Sequence, residues 1–220
     1  MKIDKRDFAA VFLDFSIVVL VIVSAFILFL GPPNRSGVQG LGYLRYYTAD
    51  SNLLLGVASL VSLIFDSLVL FKKKEATPRF VKSFLLCAST GTTLVVTAIF
   101  YMGEGRLILP GETLQFAGIF MHLITPLVAL VRVVGFEEEK NPPKLYDSLF
   151  SALPMFIYGV IYIVHLQQTN GYGIADLDWY GSGRASLEHR VATFIILFFV
   201  CEVEAMLCWI LQKLFSYRFG

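Results

Sequence analysis

Charged residues are scarce in this sequence: Asp, Glu, Lys and Arg make up only 16% of its 220 residues, whereas 56% are hydrophobic. An ordinary soluble domain has about a quarter of its residues charged. The mean hydropathy of +0.70 points the same way. The low charge therefore argues against a soluble domain and indicates a protein that lies in lipid. With a formal net charge of only +1, the chain also lacks the excess of basic residues that is typical of nucleic-acid-binding domains.

Cysteine and histidine are also rare, with three residues of each. The cysteines (Cys87, Cys201 and Cys208) lie inside apolar runs and are odd in number. We therefore predict that they pack as thiols within the membrane and form no disulfide framework. No spacing of His, Cys and acidic residues matches a metal site, and no glycine-rich phosphate loop is present. The sequence thus implies neither a metal nor an organic cofactor.

Apolar runs long enough to cross roughly 30 Å of hydrocarbon occur six times. We place the predicted spans at residues 9–30, 44–71, 80–102, 112–134, 148–167 and 191–215. The first run is longer than the apolar region of a secretory signal peptide, so it is interpreted as a retained span. Proline and glycine punctuate the gaps between runs. The sequence predicts one all-α domain over residues 1–220, a polytopic six-transmembrane-helix bundle.

The distribution of Lys and Arg predicts how the bundle is oriented. Thirteen of the 18 fall at the N-terminus, at the C-terminus and in two connecting loops, with Lys82 counted in the second loop and Arg132 in the fourth. Loops rich in Lys and Arg stay on the cytoplasmic side. We therefore expect both termini to be cytoplasmic and the start of the second span to face outward. The predicted location is integral and multi-pass, in the cytoplasmic membrane if the source is bacterial.

Polar residues recur at helical spacing within two of the predicted spans. One stripe on the second span comprises Thr48, Asn52, Ser59, Ser62 and Asp66. Another on the fourth span comprises Gln115, Gly118, His122 and Thr125. Polar side chains in lipid turn toward the bundle interior, so we expect both stripes to face a shared centre. Because Pro126 has no N–H, it leaves the His122 carbonyl without its helical partner, so it should bend the helix and open a small polar cavity. Pro154 should do the same at the carbonyl of Phe150.

Three short motifs carry a family resemblance. They are the run Tyr-Tyr-Thr-Ala-Asp-Ser-Asn at 46–52, Met-His-Leu-Ile-Thr-Pro at 121–126, and Asp-Trp-Tyr at 178–180. In these motifs the chain resembles the FAR-17a/androgen-induced-protein family, which includes bacterial Pr6Pr-type membrane proteins. The resemblance implies a six-helix membrane protein in which an intramembrane threonine and histidine hydrolyse fatty acid esters of hydroxy fatty acids. On this chain, those two residues would be Thr48 and His122.

The residue types suit that chemistry, which needs a nucleophile, a base and donors for the oxyanion. Thr48 would supply the hydroxyl, and His122 is a suitable base because its ordinary pKa lies near neutrality. Asn52, one turn after Thr48, is a candidate oxyanion donor. Asp50 is a candidate for orienting the imidazole, although it lies nearly opposite Asn52 on an ideal helix. Glu202 is the competing orienting residue.

Structural interpretations compete with each catalytic one. Thr48, Asp50, Ser51 and Asn52 are all good N-cap residues, so capping of the second helix would explain the cluster without catalysis. His122 could instead make a structural hydrogen bond to a neighbouring helix. Depth is a further difficulty, because Thr48 lies ~35 Å from residue 71 along its helix, and His122 only ~18 Å from residue 134. If both helices end at one depth, the pair requires a bent or tilted second helix.

Two other functional classes remain open at this stage. One is a small-solute or proton-coupled transporter whose relay would comprise Asp14, Asp66, Glu202 and His122. The other is a non-catalytic scaffold or lipid-binding membrane protein. An acyltransferase that uses the same Thr and His pair is a variant within the enzyme class. In each case the expected partners are membrane lipids or small solutes, and no nucleic acid is expected.

Overall fold

The computed structural model describes residues 5–31, 39–101, 118–136, 141–170 and 186–219, and these ranges contain helices and no strand. The α-helices are α1 (Lys5–Leu30), α2 (Tyr47–Leu70), α3 (Arg79–Tyr101), α4 (Thr125–Gly135), α5 (Leu145–Ser148), α6 (Leu153–Thr169) and α7 (Leu187–Phe219). A 3₁₀-helix, Gly40–Arg45, precedes α2, and a π-helix, Phe120–Ile124, precedes α4. The prediction of an all-α chain is confirmed.

Five stretches are long and apolar enough to cross a membrane: Lys5–Leu30, Tyr47–Leu70, Arg79–Thr97, Leu145–Thr169 and Leu187–Phe215. The chain is therefore an all-α polytopic membrane protein. A shorter apolar helix, Phe120–Gly135, lies where the fourth span was predicted. The first part of that predicted span, together with Gln115 and the Asp-Trp-Tyr motif at 178–180, lies outside the described residues.

The helices pack around α3 and α4. Helix α1 packs along α2, α2 along α3, and both α1 and α7 pack against α4. A small residue allows the α1–α2 approach, since a Cβ added at Gly56 would lie 2.8 Å from Cγ1 of Val21. Such contacts are the usual way for helices to approach closely in lipid, where no hydrophobic force drives them together. The result is a bundle with two polar regions, one toward each end of α2.

Proline interrupts the helical ladder at two places, as predicted. At Pro126 the chain forms the π-helix, in which the N–H of Thr125 bonds to the carbonyl of Phe120. At Pro154 the chain turns between α5 and α6, and the carbonyl of Phe150 accepts the N–H of Leu153 at 3.1 Å. It also accepts the thiol of Cys87 at 3.3 Å. The missing proline N–H is thus offset by local rearrangement and by a side chain from another helix.

The cysteines behave as predicted. All three are free thiols, and Cys201 and Cys208 are buried. The thiol of Cys201 on α7 contacts the carbonyl of Ser151, in the turn before α6, at 3.5 Å. All three are small packing residues, and Cys87 and Cys201 also contact carbonyls near Pro154.

Arg132 differs from its predicted position. The sequence assigned it to a cytoplasmic loop, but it lies within α4 and is 2% exposed. Its Nε donates to Asp14 of α1 at 3.1 Å, and its Nη2 donates to Asp66 of α2 at 2.5 Å. Asp66 also accepts hydrogen bonds from the hydroxyls of Ser62 and Thr77. A buried guanidinium therefore joins three helices, because charged groups out of water require partners. Lys82, also assigned to a loop, is likewise buried in α3.

Candidate functional site

The start of α2 is held by aromatic side chains and not by a cap. Tyr46 is the N-cap residue, its backbone is extended, and its side chain makes no capping hydrogen bond. Thr48, Asp50, Ser51 and Asn52 therefore all lie inside the helix, and the capping interpretation of this cluster is wrong. The hydroxyl of Tyr158 on α6 donates to the Arg45 carbonyl at 2.6 Å. This bond fixes the chain just before α2.

Asn52 joins the start of α2 to the π-helix. Its side chain is fully buried, and its Nδ2 donates to the carbonyls of Thr48 at 2.8 Å and of Met121 at 3.1 Å. An amide group has two N–H donors, and both are engaged. The predicted role of Asn52 as oxyanion donor does not fit this arrangement. Asn52 instead connects the turn that contains Thr48 to the turn that contains His122.

This connection reduces the difficulty over depth. Because one side chain reaches both carbonyls, the Thr48 and Met121 oxygens lie no more than about 6 Å apart. From Asn52 to the end of α2 is ~27 Å, whereas from Met121 to the end of α4 is ~21 Å. The two helices thus do not end at the same depth, which reduces the mismatch. The contact brings the Thr48 carbonyl close to the backbone of Met121, the residue before His122.

His122 is half-buried, and one nitrogen of its ring is already engaged. Its Nδ1 lies 2.8 Å from the carbonyl oxygen of Gly118, one turn earlier in the same helix. A carbonyl only accepts hydrogen bonds, so Nδ1 carries the hydrogen. In the neutral ring the lone pair is then on Nε2, which is the nitrogen that would take a proton. This contact lies within one helix, so it is not the structural hydrogen bond to a neighbouring helix that was the alternative for His122.

The predicted orienting carboxylates do not fill that role. Within the described residues, neither Asp50 nor Glu202 bonds to the ring, and the backbone carbonyl of Gly118 orients it instead. Asp50 is half-buried on α2, while Asn52 on the opposite side of the helix is fully buried. Glu202 lies on α7 beside Cys201, whose thiol contacts the Ser151 carbonyl. The predicted divergence of Asp50 and Asn52 on α2 is thus seen in their burial.

A second hydroxyl near His122 was in the predicted stripe but was given no role. Thr125 is fully buried, and within the described residues its Oγ1 has no hydrogen-bond partner. A threonine in a helix commonly bonds the carbonyl four residues earlier, which here is Met121. That carbonyl accepts from Asn52. The turn after His122 therefore holds a buried, unpaired hydroxyl, which the stripe spacing pointed to.

The predicted transport relay is only partly assembled. Asp14 and Asp66 meet at Arg132, but the ring of His122 bonds to Gly118 and lies about three turns from Arg132 along the chain. Glu202 is on α7, and it takes no part in the two ion pairs of Arg132. Within the described part of the chain, no group of His, Cys, Asp and Glu is suited to hold a metal ion.

Two cavities in the described residues lie toward the other end of α2. The larger, of about 760 Å³, lies between α1, α4 and α7, and the smaller lies beside Asp66 and Arg132. No protein-family model, curated protein or solved structure matches this chain.

Proposed function

We propose that this membrane protein hydrolyses lipid esters within the bilayer, with Thr48 as nucleophile and His122 as base. The observation that best supports the proposal is the double hydrogen bond of Asn52, which joins the turns that carry these two residues. Independent support comes from the π-helix at His122, because such turns occur frequently at functional sites. The family resemblance in the motifs at 46–52 and 121–126 suggests fatty acid esters of hydroxy fatty acids as substrates.

In the proposed reaction, Thr48 Oγ1 attacks the ester carbonyl carbon while His122 Nε2 takes the hydroxyl proton. The bond from the carbonyl carbon to the leaving oxygen then breaks, and that oxygen takes the proton from the imidazolium. A water molecule attacks the resulting acyl-threonine, losing its proton to Nε2. Collapse of this second intermediate releases the acid and returns the proton to Thr48. The Gly118 carbonyl keeps Nδ1 protonated throughout, so that Nε2 is the nitrogen that exchanges protons.

The start of α2 also suits the charge that develops in this reaction. Thr48 lies in the first turn of α2, where the helix dipole provides partial positive charge. A developing oxyanion next to Thr48 would be stabilised there without a contribution from Asn52. Acyl chains can reach this end of the bundle sideways from the lipid, since many side chains on the outside of the helices are apolar and exposed.

The test is release of fatty acid from a fatty acid ester of a hydroxy fatty acid by the purified chain in detergent. We expect Thr48→Val and His122→Gln each to lower kcat at least about 100-fold, the scale of acid–base catalysis. Matched controls are Thr93→Val, whose hydroxyl bonds only within α3, and His165→Gln on α6. Both controls should retain activity, and all four variants should unfold at similar temperatures.

Thr125→Val identifies which hydroxyl is the nucleophile. Full activity in Thr48→Val together with loss in Thr125→Val would contradict the assignment of Thr48. If wild-type protein has no ester turnover and Thr48 is not labelled by a fluorophosphonate, the lipid-binding alternative gains support. Solute flux into liposomes that is insensitive to Thr48→Val would favour a transporter. Competition between an added alcohol and water for the acyl group would point to an acyltransferase.

A further inference from the structure

The groove of about 760 Å³ between α1, α4 and α7 has a chemistry unlike that of the proposed catalytic site. Its walls come from three helices: α1 and α7 both pack on α4, and the groove lies between them. Seven of its nine lining residues are apolar or glycine, including Leu130, Val134, Leu211 and Phe215. Its volume is within the range of small-molecule sites, so it is large enough to hold part of a lipid.

Two cations, Lys5 and Arg6, stand at the edge of this apolar groove. They begin α1, so the helix dipole adds partial positive charge at the same place. Asp7 follows them, but it lines the neighbouring small cavity beside Asp66 and Arg132. The groove therefore has a positive end and an apolar floor, which complements an anion attached to a hydrocarbon chain.

The position of the groove in the membrane indicates which of these molecules it binds. By the distribution of Lys and Arg, the start of α1 and the end of α4 are on the predicted cytoplasmic side. Basic pockets between transmembrane helices on that side bind the head groups of anionic phospholipids. We propose that the groove is a binding site for one anionic phospholipid, whose phosphate contacts Lys5 and Arg6 and whose acyl chain lies along Leu130, Val134 and Phe215.

Gly135 provides a way to close the groove without disturbing the bundle. It lines the groove, and a Cβ added to it would have no heavy atom within 4 Å. Gly135→Phe should therefore place its ring in open space and occupy the path of the acyl chain. Lys5→Gln with Arg6→Gln removes the positive end, and Lys5→Gln alone removes half of it.

The experiment is native mass spectrometry of the full chain in detergent, titrated with phosphatidylglycerol and, separately, with phosphatidylcholine. We expect wild-type protein to prefer one phosphatidylglycerol by on the order of tenfold, from two cations near a phosphate. The Lys5→Gln/Arg6→Gln variant should lose this preference, and Lys5→Gln should lose part of it. Gly135→Phe should bind at least about fivefold less phosphatidylglycerol than wild type.

Matched controls separate this site from general attraction to charge or lipid. Lys72→Gln/Lys73→Gln removes two exposed cations after α2, and Val160→Phe enlarges an exposed apolar side chain on α6. Both should bind phosphatidylglycerol as wild type does. An unchanged preference in Lys5→Gln/Arg6→Gln, or an equal loss in Lys72→Gln/Lys73→Gln, would overturn the proposal. Displacement of phosphatidylglycerol by equimolar oleate would assign the groove to a fatty acid and also overturn it.

Discussion

Two polar contacts join α2 to the helix that contains His122, one near each end of α2, and they differ in kind. Near the start, the neutral amide of Asn52 donates to two backbone carbonyls, and the nearby hydroxyl of Thr125 has no partner among the described residues. Near the end, the Arg132 guanidinium joins Asp14 and Asp66. The charged contact pairs ions from three helices, although one oxygen of Asp14 has no hydrogen-bond partner among the described residues, whereas the neutral contact leaves an uncharged hydroxyl available.

The difference indicates that the two contacts have different roles, one in stabilising the bundle and the other in activity. Buried charges are tolerated only with partners, so the cluster of Arg132, Asp14 and Asp66 constrains how α1, α2 and α4 sit against each other. A neutral contact costs less to desolvate and can leave an imidazole nitrogen and hydroxyls unpaired. We therefore expect changes at the charged end to affect folding, and changes at the neutral end to affect activity.

The largest effect should follow from Arg132→Met. This change leaves two buried carboxylates without their cation, and breaking a buried pair costs about 3–5 kcal/mol. We expect a large loss of correctly folded protein, measured by size-exclusion chromatography and thermal unfolding in detergent. Arg79→Met is the matched control, because the Arg79–Asp147 pair is partly exposed and its loss should be tolerated.

Restoring the charge balance should recover the fold. The triple variant Asp14→Asn/Asp66→Asn/Arg132→Met removes all three charges, and such replacements are often close to neutral. Its unfolding temperature should return most of the way to that of wild type. If the triple variant is as unstable as Arg132→Met, unpaired charge is not the reason for the loss.

An intermediate effect is expected for Asn52→Leu. The substitution keeps a similar volume but leaves the buried Met121 carbonyl without its donor, which costs about 1–3 kcal/mol. Because the contact also holds the Thr48 turn against the His122 turn, ester turnover should fall by more than the stability loss explains. The measurement is kcat at a temperature where the variant remains fully folded. Normal kcat in folded Asn52→Leu would separate this contact from catalysis.

The smallest effect on stability is expected for Pro126→Ala. Pro126 lies in the first turn of α4, where its missing N–H costs little, so the unfolding free energy should change by less than about 1 kcal/mol. Alanine at this position restores a backbone N–H, so regular α-helical hydrogen bonds would compete with the π-turn. The direction in which the His122 side chain points would then change. We expect a measurable drop in turnover with little change in unfolding temperature. Equal activity in the two proteins would mean that the π-turn does not depend on Pro126.

Much of the fold could be read from local patterns. The apolar runs predicted the helices, and the confirmed polytopic architecture follows from their length and composition. The prolines predicted both interruptions of the ladder, at Pro126 and Pro154. The thiols were predicted to pack without disulfides, and they do. These features depend on the period and rise of a helix, which each segment carries by itself.

Where the structure differs from the prediction, the difference concerns the partners of a side chain and not its periodicity. Arg132 was counted as a loop cation because it follows an apolar run, although it lies inside α4. Asn52 was considered an oxyanion donor because it is one turn from Thr48, but its two N–H groups are taken by carbonyls. The orienting role was given to carboxylates, yet the ring bonds to the backbone of its own helix. In each case the acceptor that the side chain contacts could not be read from spacing along the sequence.

Apolar helices, polar stripes and breaks at proline could all be predicted locally, because helix geometry repeats every few residues and needs no distant partner. Contacts between helices, which no local pattern specifies, join Asn52 to the Met121 carbonyl and give Asp14 and Asp66 a shared partner in Arg132. The depth at which two parallel helices meet is set by the whole set of contacts along them. A shift of a single turn would give every polar group a different partner.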